Sequence, residues 1–482
     1  MSEGRGGKAA SSFLFKLVES LGMQGISFLV NILLARLLDP SDYGVLTMLT
    51  VFIAISQAFV NSGLNTALIQ KKDVDETDVS SVFWMTLGLA AVLYGVLFLL
   101  APTIAVWFRA PQLQPTLRVL ALVLFPGAMV SVQNAVVARR MAFRRQMFAS
   151  LTATVLSGTV GITMAGNGMG YWALVGQQLT NQCVLAVLLL FVLKWRPQLC
   201  FCFSRIRGLI RFGWKLLISS LLDTAYTNLS SFVIGLRYSQ DMLGFYARGR
   251  QFPELAMNAV NGSVSTILLP VLSDQQDDLP RLKQTMRRSL MLSCFVVMPL
   301  MAGLAGVAEP LIRLLLTDKW LPCVPFLQVF CLDFALYPIH TTNLQAINAV
   351  GRSDVFLKLE IIKKIYGPAI LAISVFCFDS VFAIAAGMAV SGFLSSYVNA
   401  SPNKKLIGYG YLEQVKDVLP SFALSVVMFG VVWLMGMLPL NPLLLLLIQV
   451  VTGAAVYAGL ALLFKMESAQ YLVQMVRKLL KR

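Results

Sequence analysis

Apolar residues run in long blocks along this chain, and polar residues fall in short interruptions between them. The blocks cover roughly 13–37, 43–69, 80–107, 115–137, 148–167, 171–193, 212–236, 242–270, 289–316, 323–349, 356–378, 380–399, 418–437 and 440–464. Each is about 20 residues or longer, enough for an α-helix to cross the roughly 30 Å hydrocarbon layer of a bilayer. The pattern predicts an all-α polytopic membrane protein of about 14 transmembrane helices. The loops between them are shorter than about 20 residues, which leaves no room for an extramembrane catalytic domain. A β-barrel would alternate instead, in blocks of about 10 residues.

Composition agrees with the pattern. Of 482 residues, 57% are hydrophobic and 13% charged, and the mean hydropathy is +0.74. A soluble domain is about 45–50% apolar and roughly 25% charged. A soluble enzyme, a nucleic-acid-binding domain and a disordered chain are thereby excluded. The formal net charge of +16 reads as the positive-inside bias of a membrane protein, and nucleic acid is not needed to explain it. With the N-terminus inside, the inner loops hold Arg139, Arg140, Arg144 and Arg145, then Lys194 to Lys215, then Arg281, Lys283, Arg287 and Arg288. The outer side holds only Arg36, Arg109, Arg118, Arg237, Arg313 and Lys319. Both termini are therefore expected in the cytoplasm. Arg5 and Lys8 precede a full-length apolar run, which predicts an uncleaved signal-anchor. Beyond Lys465, residues Leu472, Met475, Val476 and Leu479 share one face opposite the basic residues, predicting an amphipathic helix on the inner surface.

Most of the seven cysteines sit inside apolar runs, and His340 is the single histidine. Neither a disulfide framework nor a metal cluster is expected, and no cofactor is predicted. Gly7-Lys8 is followed by Ala9, so the chain lacks a phosphate-binding Walker A loop.

A weak repeat lies about 200 residues apart. Arg36-Leu37-Leu38-Asp39-Pro40-Ser41-Asp42-Tyr43-Gly44 ends the first span, and Arg237-Tyr238-Ser239-Gln240-Asp241-Met242-Leu243-Gly244 ends the seventh. Both place an Arg, a turn, an Asp and a Gly at the outer end of an in-to-out helix. Six spans between them imply two parallel halves, an arrangement common in transporters. The expected division is a six-helix bundle over 1–200, a second over 201–405, and two further helices with the tail over 406–482.

Leu34 to Gly44, followed by Gly63-Leu64-Asn65-Thr66-Ala67-Leu68-Ile69-Gln70-Lys71, resembles the polysaccharide transporter branch of the multidrug/oligosaccharidyl-lipid/polysaccharide (MOP) exporter superfamily. These are the Wzx-type flippases, and the resemblance extends to their colanic-acid exporter group. Gly244-Phe245-Tyr246, Pro270-Val271-Leu272-Ser273, Lys319-Trp320, Pro325-Phe326-Leu327-Gln328 and Ala349-Val350-Gly351-Arg352 extend the resemblance over nearly the whole chain. The resemblance implies transfer of an undecaprenyl-diphosphate-linked oligosaccharide from the inner to the outer leaflet of the bacterial inner membrane. It implies alternating access driven by an ion gradient, in the service of capsule, exopolysaccharide or O-antigen synthesis. Membrane lipid and polysaccharide-assembly proteins are the implied partners, and the fold suffices as a monomer.

A diphosphate and its sugars cannot enter hydrocarbon unaided, so a cation-lined polar path is required. Arg248 and Arg250 early in the eighth span, Lys363 and Lys364 in the eleventh, and Lys16 in the first are the candidate diphosphate or sugar contacts. Arg248 and Arg250 lie about 200° apart on a helix, so one of the two faces the path. Asp223, Glu254 and Asp333 are candidate sites for a coupling ion or proton. Glu360 beside Lys363 and Lys364, and Glu19 beside Lys16, have the spacing of local ion pairs. His340 reads as an interhelical hydrogen-bonding residue. Pro253, Pro299, Pro325, Pro338 and Pro368 concentrate bends in the second half, where they suit either hinges or ordinary packing. The alternative reading is another exporter of the same superfamily, either a drug/cation antiporter or a peptidoglycan-precursor flippase. A membrane polymerase or ligase would need a large outer loop, and the pattern shows none, while a non-transporting scaffold stays open.

Overall fold

A computed structural model describes residues 24–61 and 74–471, together with 22, 65, 68, 69 and 474. Lys16, Glu19 and the tail residues Leu472, Met475, Val476 and Leu479 lie outside the described residues. Among the described residues the regular structure is entirely helical. Eleven helices there are long and apolar enough to cross a membrane. The first described helix is α1 (Gln24–Leu37). It is followed by α2 (Pro40–Asn61), α3 (Glu76–Trp107), α4 (Leu113–Arg140), α5 (Phe143–Gly166) and α6 (Trp172–Leu193). Next come α7 (Phe203–Arg237) and α8 (Gln240–Ser273). The chain continues through α9 (Leu279–Gly306), α10 (Asp318–Ala349), α11 (Ser353–Phe378), α12 (Val381–Leu406), α13 (Tyr411–Met435) and α14 (Pro442–Leu463).

This order is compatible with a count of fourteen. Helices α7 and α8 fall outside the eleven although they have 35 and 34 residues. At 1.5 Å per residue each is about 50 Å long and extends well past the hydrocarbon layer. Prolines do not end these helices: Pro253 and Pro270 lie inside α8, and Pro299 inside α9. Helix α10 does break, at Leu336 between Ala335 and Tyr337, with Pro338 opening its second half. A proline in the first turn loses no intrahelical hydrogen bond, so the break falls where Pro338 is tolerated.

The chain divides into two compact units, 1–244 and 245–482. In the first, α5 packs along α6, α3 and α6 pack on α4, and α7 lies against α2. Phe232 of α7 meets Phe52 of α2 and Phe108 beyond α3 edge to face, with ring centroids 5.7–6.0 Å apart. The two repeat segments meet here. A Cβ on Gly44 would fall on the backbone of Gln240, and a Cβ on Gly244 would fall on the backbone of Pro40. Each glycine thus admits the residue four positions before the other, a reciprocal approach that no side chain permits.

The arginines that close α4 and open α5 have a structural task. Arg139 donates to the Leu68 carbonyl at 2.9 Å, Arg140 to Leu193 at 3.1 Å and Arg145 to Val192 at 3.3 Å. The last carbonyls of a helix lack intrahelical partners, so cations placed at the end of α6 satisfy them. The segment after α6 is pinned to the start of α3. Gln198 N donates to Ser80 Oγ at 3.0 Å, Cys202 N to Ser81 Oγ at 3.1 Å, and Trp84 Nε1 to the Gln198 carbonyl at 2.8 Å.

In the second unit, α13 packs along α9, α11 along α12, and α10 against both α9 and α12. A buried knot of amides ties three of these helices. Asn343 of α10 and Gln414 of α13 exchange hydrogen bonds of 2.7 and 2.9 Å, and Asn403 of α12 donates to Asn343 Oδ1 at 2.6 Å. Arg287 of α9 grips Asp417 of α13 through two bonds of 2.7 and 2.8 Å, and Tyr409 donates to the same carboxylate at 2.7 Å. Inside a bilayer an unpaired amide has no water to turn to. Gln414→Leu strips Asn343 of its reciprocal partner and is expected to destabilise the protein by about 1–2 kcal/mol. The melting midpoint in detergent checks this. An unchanged midpoint would mean that Asn343 finds another partner without loss.

Candidate functional site

Helix α8 brings its charged face to α10. Arg250 Nε lies 3.4 Å from Glu254 Oε2, one turn on, and the two side chains are 22% and 44% exposed. Tyr246, one turn before Arg250, bonds its side chain, and Asp333 of α10 also acts on it electrostatically. The guanidinium therefore has two carboxylates and a phenol around it while staying partly open. Asp333 reaches this position past Gly392 of α12, where a Cβ would overlie its carboxylate oxygen.

A second polar group lies farther along α10. Lys363 Nζ of α11 is 2.5 Å from Glu360 Oε1. Tyr337 is in the electrostatic reach of Glu254, Asp333, Arg250 and Glu360, and so links the two groups. His340 stands near Lys363. Its Nδ1 lies 3.3 Å from Asn399 Nδ2 of α12. Tyr366 and Ser395 join α11 to α12 through their hydroxyls at 2.5 Å. The second unit thus carries a polar track from Arg250 through Asp333 and Tyr337 to the Glu360–Lys363 pair. Ionisable groups among membrane helices are costly, and they persist where paired and used.

Of the residues singled out by sequence, Arg250, Glu254, Asp333 and Lys363 come together on this track. Lys364 is half-buried on the next position of α11. Arg248 points elsewhere. It is only 4% exposed, bonds Gln251, and sits 5.5 Å over the ring of Trp320. That cation–π packing makes it part of the wall, as the 200° separation from Arg250 requires. Asp223 belongs to the first unit, on α7, and its side chain is exposed rather than enclosed. Position at mid-span does not fix which face of a helix a residue occupies. Lys16 lies outside the described residues.

Tyr246 and Gly392 carry no charge, so embedded charges alone do not mark them as site residues. The phenol at four residues before Arg250 was the available signal for Tyr246, since that spacing puts both on one helix face. All seven cysteines are free thiols. Among the described residues no cluster of His, Cys, Asp and Glu could hold a metal ion.

Long apolar helices with an internal polar track define a polytopic membrane transporter fold. A sequence model of the family described as "Polysaccharide biosynthesis protein" matches residues 33–325, and the chain belongs to that family. It is similar to the succinoglycan biosynthesis transport protein ExoT of Rhizobium meliloti (strain 1021), with 24% identity over 73% of this chain and 71% of that protein. It is also similar to the lipopolysaccharide biosynthesis protein WzxC of Escherichia coli (strain K12), with 23% identity over 76% of this chain and 75% of that protein. Among solved structures, lipid II flippase MurJ in an inward closed conformation matches with a TM-score of 0.78 at 15% identity, over 96% of this chain and 100% of that one. An inward-facing MATE-family multidrug resistance transporter of the MOP superfamily matches with a TM-score of 0.60 at 13% identity, over 84% and 98%. At these identities the likeness establishes the fold alone, the one that this flippase and this transporter share.

Proposed function

We propose that the protein is a flippase that carries an undecaprenyl-diphosphate-linked oligosaccharide from the cytoplasmic to the outer leaflet of the bacterial inner membrane by alternating access. Arg250 carries the reading. It is a planar, permanently charged phosphate ligand, held among membrane helices yet partly open. Its pairing with Glu254 and Asp333 supplies a coupling device. While both carboxylates are ionised they occupy the guanidinium. Binding of a proton or a sodium ion to them releases Arg250 to the diphosphate, and loss of that ion returns it. Lys363 and Lys364 form a second phosphate contact at another depth, with Lys16 as a further one from the first half. Asp223 is an additional coupling-ion candidate. The relatives' names, in succinoglycan and lipopolysaccharide biosynthesis, support a lipid-linked saccharide as cargo. The inner-facing cations support cytoplasmic termini, and the repeat supports two bundles at 1–200 and 201–405 followed by an appendage at 406–482. The chain acts as a monomer that hands its cargo to polysaccharide-assembly proteins.

A cation-coupled drug antiporter is the second reading. It is favoured by one observation: carboxylates outnumber cations around Arg250. The test is reconstitution in liposomes with a fluorescent undecaprenyl-diphosphate sugar, measuring leaflet exchange with and without a proton or sodium gradient. The wild type is expected to move the lipid, faster under one of the gradients. Asp333→Asn is expected to lose roughly tenfold of the gradient stimulation, about 1.4 kcal/mol of coupling. Absence of lipid movement beside an active control flippase would hand the case to the antiporter.

A further inference from the structure

The turn between α13 and α14 closes over the end of α9, the short helix Ala308–Leu315 and the start of α10. A cleft of about 430 Å³ lies among them, lined by Glu309, Arg313, Gln328, Trp433, Met437 and Leu440. None of these belongs to the polar track. The volume is within the roughly 300–1,000 Å³ that encloses a small ligand. Trp433 is 48% exposed although it lines the cleft. Arg313 bonds Glu309 at 3.4 Å and Asp318 at 2.9 Å, and all three side chains are open to solvent. Gln328 is anchored by its Nε2 on the Ala305 carbonyl at 3.2 Å.

We propose that this cleft is a saccharide-binding site, separate from the transport path. The chemistry selects the ligand class. An indole offers a broad apolar face with a polar edge, which suits the C–H face of a sugar ring. The Glu309 carboxylate accepts hydrogen bonds from hydroxyls, and the Arg313 guanidinium and Gln328 amide donate to them, so a polyhydroxy ligand finds both roles met. A phosphate gains no net attraction here: the charged residues lining the cleft, Glu309 and Arg313, pair with one another and are formally neutral together. In the orientation proposed above, the turn between α13 and α14 lies on the outer side, where an exported glycan emerges. The choice of a saccharide rests on that transport reading.

The test uses the whole protein in nanodiscs free of sugar-headed detergent. Saturation-transfer NMR is recorded with lactose, cellobiose and chitobiose, and with phosphoethanolamine as a headgroup probe. At least one disaccharide is expected to take up saturation. The signal is expected to fall at least fivefold in Trp433→Ala and in Glu309→Gln, to survive largely in Trp433→Phe, and to be unchanged in Arg250→Ala. No transfer to any disaccharide overturns the proposal. So does transfer indifferent to Trp433→Ala, or a response to phosphoethanolamine alone. Leaflet exchange measured on the same preparation separates the two readings. Exchange without sugar binding sinks the cleft alone, and cleft-dependent sugar binding without exchange sinks the flippase alone.

Discussion

Arg250→Ala is expected to lower leaflet exchange of the lipid-linked sugar by roughly 100-fold, the equivalent of about 3 kcal/mol. Two losses combine. On the proposed reading the diphosphate loses its bidentate donor, and Glu254 and Asp333 both lose the cation that acts on them. The second loss raises the cost of placing any anion there. Arg250→Lys keeps the charge and loses the planar fork, so a smaller deficit of roughly 10-fold is expected. Both variants are to be compared at equal amounts of folded protein, judged by melting midpoint. Full exchange activity in a well-folded Arg250→Ala would remove this residue from the cargo path and with it the coupling scheme.

Gly44→Ala and Gly244→Ala are each expected to destabilise the protein by about 3 kcal/mol or more. Overpacked sites in general lose about 1–3 kcal/mol, because side chains can move aside. Here the atoms in the way are backbone, Gln240 on one side and Pro40 on the other, and both belong to helix starts that cannot turn away. Gly88→Ala and Gly430→Ala are matched controls, since nothing lies within 4 Å of a Cβ at either position. Yield of monodisperse protein and the melting midpoint read the outcome. Variants at 44 and 244 that melt with the controls would show that the two helix starts part without cost.

Much of this was legible in the chain itself. Period and length alone gave the all-helical membrane class, because a bilayer forces every backbone bond inward and leaves few solutions. The Arg250–Glu254 and Glu360–Lys363 pairs follow from helix spacing. Asp333 joining Arg250 does not, since the pair depends on how α10 packs against α8. Neither do Gln414 and Asn403 closing on Asn343, nor Asn399 on His340. Asp223 shows the same limit from the other side. Its side chain is exposed, and the sequence pattern does not tell which face of α7 it occupies, because apolar residues flank it on every side. The breaks followed chemistry too: Pro253 is absorbed within α8, while Pro338 marks the division of α10.

The amide knot has a consequence for biogenesis. Gln414 lies 71 residues after Asn343. At about 5–20 residues per second, Asn343 enters the membrane several seconds before its partner is synthesised. Through that interval a polar side chain destined for burial stands among lipid tails or the insertion machinery. Helix α13 therefore completes the knot, and a chain that ends short of it keeps Asn343 bonded to Ile339 and Asn403 but without the reciprocal amide of Gln414.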